Sequence, residues 1–151
     1  MSKETEPLNE TVNLTCLACG QVNRAPKGKL VAGPKCAKCS ASLAGGDVAA
    51  LDMRLHDKAT ATDGVPLIID YWAPWCGPCR TMAPEFAKAA VALRGTARFA
   101  KIDTEQFPQV SQRLNIRGIP LLILYAGGRE VSRLTGARPA SDIAGFVRQN
   151  L

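Results

Sequence analysis

The first 45 residues contain no Phe, Trp or Tyr, yet they hold four of the chain's six cysteines, as CLAC (Cys16, Cys19) and CAKC (Cys36, Cys39). Their larger apolar residues, such as Leu14, Leu17, Val22, Leu30, Val31 and Leu43, are scattered. A segment so short and so poor in apolar surface seldom folds without disulfides or a metal. Sixteen residues separate the two C-x2-C pairs, a spacing that suits a zinc site. Four thiolates complete the tetrahedral shell of Zn²⁺ and leave no position open for catalysis. Gly20, Gly33 and Pro34 would help the chain turn and aim backbone N–H groups at the sulfurs. The reading is one zinc ion on Cys16, Cys19, Cys36 and Cys39, structural or redox-responsive, with two disulfides or a redox relay as the alternatives.

The remaining bulk properties narrow the class. No run approaches the roughly 20 apolar residues that span a bilayer, and MSKETEPLNE lacks the basic-then-apolar pattern of a secretory leader. A cytoplasmic protein that does not engage membranes is therefore expected, in a compartment that keeps thiols reduced. The net charge of +6 divides evenly, with six Lys/Arg against three acids in residues 1–45 and thirteen against ten in the rest. Basic residues Arg24, Lys27, Lys29, Lys35 and Lys38 come without the aromatic side chains that nucleic-acid readers stack on bases. Nucleic-acid binding is not expected.

SASLAGGD, residues 40–47, reads as a small-residue linker. Beyond it the pattern becomes α/β. Val48–Leu51 is a short strand, Asp52–Thr62 a surface helix, and VPLIIDYWA (Val65–Ala73) a strand buried on both faces. From Gly77, residues Met82, Phe86, Ala89, Ala90 and Leu93 recur at helical spacing, with Pro84 expected to kink that helix. RFAKID is a strand, a short helix comes next near Pro108–Leu114, and LLILYA-GG-REVSRL reads as a hairpin. The closing helix carries Ile143, Phe146, Val147 and Leu151 in one stripe, with Ser141 as its candidate cap. The order is βαβαβα and then ββα.

WCGPC, Trp75–Cys79, is the third C-x2-C pair, and its surroundings differ from the other two. Cys76 ends a buried strand and starts a helix, where unpaired N–H groups and the helix dipole favour thiolate. Cys79 lies about one turn on, and Gly77 and Pro78 occupy the first turn, where proline costs little. The pattern suits an exposed Cys76 thiolate that attacks a disulfide and a shielded Cys79 that resolves the mixed disulfide. Asp70 interrupts an apolar run. Buried, its carboxyl would be a better base for the Cys79 proton; at a strand end, it would be an ordinary surface acid. The pattern leaves both open, and Lys101 on the next strand lies where it would tune the charge.

DYWAPWCGPCRTMAP, then KID, IRGIP and TGA, resemble the thioredoxin family over about residues 47–151, and the four-cysteine extension resembles the zinc-bearing bacterial thioredoxin 2 type. The resemblance implies a thioredoxin fold, a mixed central sheet flanked by helices, preceded by a zinc-ribbon-like domain at 1–45, with the redox domain at 46–151. It implies a protein-disulfide reductase with a redox-active Cys76–Cys79 disulfide, Cys76 as nucleophile, Cys79 as resolving thiol, Asp70 as buried base and Lys101 beside it. Pro120 matches the family's cis-proline. Trp75, Gly77, Pro78, Gly118, Ile119, Pro120 and Gly136 match the substrate-docking surface. The implied partners are an NADPH-dependent thioredoxin reductase and disulfide-bearing proteins, met by a monomer. Leu121 and Thr135 depart from the family pattern beside that surface. A competing class is a zinc-dependent binding module or holdase; a periplasmic oxidant or isomerase conflicts with Gly-Pro between the cysteines. The only histidine, His56, reads as a solvated helix residue.

Overall fold

Two short strands open the fold, β1 (Thr11–Thr15) and β2 (Val22–Pro26), paired antiparallel with Leu14 opposite Asn23. They belong to a computed structural model that describes residues 10–151; the stretch MSKETEPLN, where a leader was sought, lies outside the described residues. The CLAC turn joins the strands, and Pro26 leads into a 3₁₀ helix (Lys27–Ala32) closed by Gly33 in the left-handed region. The second pair, CAKC, forms a matching turn held by a bridge between Lys35 and Ser42. The two turns share one hydrogen-bond pattern. Cys16 N–H donates to Gln21 O and Gly20 N–H to Cys16 O; Cys36 N–H donates to Ala41 O and Ser40 N–H to Cys36 O. Gly20 and Ser40 supply the positive φ that each turn needs.

The second unit is a five-stranded sheet in the order β3-β5-β4-β6-β7, with β3 (Val48–Ala50), β4 (Leu67–Trp72), β5 (Arg98–Asp103), β6 (Leu121–Ala126) and β7 (Arg129–Thr135). The β3–β5 and β4–β5 pairs are parallel; β4–β6 and β6–β7 are antiparallel. Helices α1 (Met53–Thr62), α2 (Gly77–Ala92), α3 (Pro108–Leu114) and α4 (Ala140–Gln149) complete the order expected from the sequence. Because strand side chains alternate, Ile68, Phe99, Leu122 and Leu124 pack against α2 and α4, while Leu67, Ile69, Tyr71, Ala100 and Ile123 pack under α1 and α3. Helix α2 runs as one element with Pro84 inside it. No described helix is long and apolar enough to cross a membrane.

The structure corrects four expectations. Residues 40–47 are no free linker, because Leu43 and Ala44 are buried with Leu14, Leu30 and Val65 in a small core. Ser141 does not cap α4; Pro139 occupies that position without a side-chain cap. Leu151 leaves the α4 stripe and is exposed. His56, on α1, is only 3% exposed. Its Nε2 bonds the Tyr71 hydroxyl at 2.8 Å, that hydroxyl meets Tyr125 at 2.6 Å, and Nδ1 meets Asp57 at 2.9 Å. Two tyrosines at the ends of apolar strands need polar partners for their hydroxyls, and the histidine supplies one.

The two units meet on a buried guanidinium. Arg98 Nε donates to Leu43 O at 2.8 Å and Nη2 to Thr15 O at 2.7 Å, while Nη1 pairs with Asp63. Asp63 also accepts from Thr15 N–H at 2.9 Å. Next to it, Gly64 N–H donates to Asn13 O, and a Cβ at Gly64 would stand 2.9 Å from the Val12 Cβ, so only glycine lets β1 approach.

Two buried groups carry tests of stability. Arg98→Met leaves Asp63 buried without its cation, which should cost about 3–5 kcal/mol in urea unfolding, with partial recovery in Arg98→Met/Asp63→Leu. Burial lowers the pKa of His56 below its ordinary value. The unfolded chain, near 6.5, therefore takes up that proton more readily. The stability tied to neutral His56 is present above about pH 7 and is lost as pH falls below 6.5. His56→Gln should flatten this part of the stability profile between pH 5 and 7; parallel profiles would exclude it.

Candidate active site and metal centre

The sulfurs of Cys16, Cys19, Cys36 and Cys39 lie within 4.8 Å of one another. Cys16 and Cys39 sulfurs are 3.6 Å apart, and those of Cys19 and Cys36 are 3.7 Å apart. Tetrahedral zinc–thiolate bonds of about 2.3 Å set sulfurs about 3.8 Å apart, so the cluster fits one zinc ion. None of the four is in a disulfide. Cys19 N–H points at Cys16 Sγ and Lys38 N–H at Cys36 Sγ, both at 3.4 Å. Backbone N–H groups, that of Cys39 foremost, pull the Cys36 thiol down to about 6. Cys16 is lowered as well, whereas Cys39 is pushed up to about 11, its Ala41 backbone hydrogen bond being outweighed by the neighbouring thiols and burial. The first cysteine of each turn is thus eased toward thiolate, the form a metal takes.

The third pair is built differently. Cys76 is the N-cap of α2, and its sulfur accepts from Cys79 N–H at 3.2 Å. Cys76 and Cys79 are joined as a disulfide. Strand β4 delivers Cys76 to this helix end, and Ala73 packs with both cysteines while Trp72 and Ile119 close over them. In this oxidised form the expected contrast between an exposed Cys76 and a shielded Cys79 is slight, at 4% and 2% exposure. Ile119 is one cause, since Cys76 Sγ lies 3.8 Å from its carbonyl.

Around the disulfide, the Ile119–Pro120 bond is cis, and Gly136 N–H donates to Pro120 O at 3.0 Å. Trp75 is 67% exposed beside the cysteines. A Cβ at Gly77, Gly118 or Gly136 would meet nothing in the chain. Leu121 and Thr135, the two departures from the family pattern, stand opposite each other across β6–β7.

Asp70 is buried, as one of the two sequence readings had it, and its Oδ1 has no hydrogen-bond partner. Burial pushes its carboxyl up to about 7, against a pull from Lys101. Lys101 is the Cα partner of Asp70 on β5, yet among the described residues the two form no ion pair. Its ammonium lies 4.9 Å from the centroid of the Trp72 ring. Trp72, half-buried here, falls in the strand that the sequence reads as buried on both faces; its place two residues after Asp70, on the same strand face, is the signal that sets it beside the acid.

Comparison with known proteins gives the same two units. Residues 47–149 match the thioredoxin family model, and residues 15–41 match the model of the thioredoxin 2 N-terminal domain. Thioredoxin C-3 of Corynebacterium nephridii is 37% identical over 91% of this chain and 94% of its own length. Thioredoxin 1 of Nostoc is 38% identical over 58% of this chain and 81% of its own. Among solved structures, chloroplastic thioredoxin z superposes with a TM-score of 0.63 at 32% identity, covering 68% of this chain and 93% of that one. The thioredoxin of Malassezia sympodialis superposes at 0.61 with 28% identity, covering 70% and 91%.

The metal centre carries its own test. Purified protein should contain one zinc per chain. Two thiols should titrate readily after reduction and the other four only after chelation, with a fall in thermal midpoint once the metal is stripped. Six equally reactive thiols and no zinc would mean that the N-terminal pairs are redox groups.

Proposed function

The chain belongs to the thioredoxin family, and on that premise we propose a division of labour for its thiol–disulfide oxidoreductase activity. Residues 1–45 form the metal-binding domain and residues 46–151 the redox domain. In the reduced protein, Cys76 thiolate attacks a substrate disulfide; one substrate sulfur leaves as thiolate and the other joins Cys76 in a mixed disulfide. Cys79 then loses its proton to the Asp70 carboxylate and attacks Cys76 Sγ. The mixed disulfide breaks, the second substrate sulfur leaves as thiolate, and the Cys76–Cys79 disulfide forms. Two electrons pass to the substrate.

The observation that carries this reading is the Cys76–Cys79 disulfide at the start of α2 with an unpaired, buried Asp70 on the strand feeding it. The helix N-terminus stabilises a Cys76 thiolate. A carboxyl near 7 is matched to moving a proton at neutral pH. Trp75, Gly77, Pro78, Gly118, Ile119, Pro120 and Gly136 form the docking surface, where an extended segment of a partner would approach over glycines that leave open space. Zinc, when bound at the four N-terminal thiolates, supplies structure there and takes no part in the exchange.

Proteins of this family are reduced by thioredoxin reductase and act on disulfides. For this chain we take an NADPH-dependent reductase as the electron donor, disulfide-bearing proteins as the substrates and a monomer as the acting form. We place it in the cytoplasm, where four free cysteines stay reduced enough to hold metal.

Trapping and pH dependence test the roles. Cys79→Ser should accumulate mixed disulfides through Cys76; their appearance in Cys76→Ser instead would reverse the assignment. Resolution by the native protein should speed up as pH rises through about 7, as Asp70 becomes the carboxylate. Asp70→Asn should lose that step and slow resolution by about 10²-fold or more, with capture little changed. Equal rates for the two proteins across pH 6 to 8 would remove Asp70 from the mechanism.

A further inference from the structure

Asp70 and Lys101 stand directly opposite on neighbouring parallel strands, at positions that put both side chains on the α2 side of the sheet. A lysine so placed would ordinarily close onto the carboxylate, because pairing relieves a buried, unpartnered acid. It does not do so here. Asp70 Oδ1 stays without a partner, and the Lys101 ammonium sits over the face of Trp72, 4.9 Å from the ring centroid. The backbone that carries the ring is pinned, since the Trp72 main-chain O accepts from Thr104 N–H at 2.8 Å and from Thr104 Oγ1 at 3.0 Å.

We propose that Trp72 is a positioning residue that holds the Lys101 ammonium on its ring face and off Asp70, leaving that carboxylate free to take the Cys79 proton. The inference rests on the reading of Asp70 as the base. An indole face attracts an ammonium, most strongly where water is excluded, so the ring competes with the carboxylate for one cation. Without the competitor, Lys101 would pair with Asp70 and hold it as a weak base. The cation nevertheless stays near enough to pull on the carboxyl. The other charges around Asp70 point elsewhere. Strand β6 presents Leu122 opposite it. Helix α2 brings Cys76 and Cys79, while its Arg80 reaches Pro74 O and its Glu85 and Lys88 pair with each other. Asp142 and Arg148 of α4 are exposed. On β5, Asp103 caps the turn at Glu105 and Gln106, and Arg98 is bound to Asp63.

The test is to titrate the Asp70 carboxyl by ¹³C NMR in the full-length, zinc-loaded, oxidised protein, alongside the pH profile of single-turnover reduction of a disulfide-bridged peptide. In Trp72→Leu, the Asp70 midpoint and the rate profile should both move down by about one pH unit or more, as Lys101 closes on the carboxylate. Trp72→Phe, which keeps a ring face, should restore most of the native midpoint. Trp72→Leu/Lys101→Met should titrate like Lys101→Met alone, because without the cation the ring has nothing to hold. An unmoved midpoint in Trp72→Leu would overturn the proposal. So would an equal drop in the Lys101→Met background, which would mean that Trp72 only keeps water out. Failure of the base assignment appears separately, as an Asp70→Asn rate profile equal to the native one, while the NMR midpoints still report on Trp72.

Discussion

A guanidinium offers five N–H donors and no acceptor, so burying one obliges the chain to assemble oxygens around it. Arg98 imposes that obligation here. Its acceptors are drawn from three places: Thr15 O at the end of β1, Leu43 O beyond the second cysteine turn, and the Asp63 carboxylate at the end of α1. Thr15 precedes the metal ligand Cys16, and Leu43 lies four residues beyond Cys39. The same side chain begins β5, whose third position after Arg98 is Lys101, partner of Asp70. One ion pair with its carbonyls therefore fixes where the metal turns sit and where the central strand starts.

Three identical C-x2-C spacings serve two chemistries, and the difference lies in the path of the chain after the second cysteine. In the N-terminal pairs a left-handed residue, Gly20 or Ser40, turns the chain back, so N–H groups converge on sulfurs that remain ligands. After Cys79 the chain continues as a helix for several turns. That helix aims its free N–H groups at Cys76, and hydrophobic packing of Met82, Phe86 and Ala89 anchors it to the sheet. The redox pair thus sits on a rigid element, and the metal pairs sit on turns that the metal itself must stiffen.

The sequence disclosed the order of elements because hydrophobic periodicity changes sharply from Leu67–Ile69 to Met82–Ala90. WCGPC and the paired cysteine turns were legible because their chemistry depends on local spacing. What escaped was set by contacts between distant positions. His56 reads as polar and solvated until Tyr71 and Tyr125 are brought over it by the sheet. Arg98 looks like the charged first residue of a strand, and its acceptors are up to 83 positions away. Leu43 and Ala44 resemble linker residues because the residues that bury them, Leu14, Leu30 and Val65, lie well away along the chain. Whether Asp70 was a buried base or a surface acid was undecidable from pattern, since an acid that interrupts an apolar run fits either a buried position or a strand end.

The separations in that junction also order events in time. The hydrogen bonds from Arg98 to Thr15, Leu43 and Asp63 close spans of 83, 55 and 35 residues, and each loop must be closed before its contact contributes. A chain emerging from the ribosome presents both cysteine turns long before Arg98. N-terminal units usually fold first during synthesis. Here the first unit made can bind its metal early but reaches its final packing only when the strand that begins with Arg98 arrives, so the domain made first waits on the second.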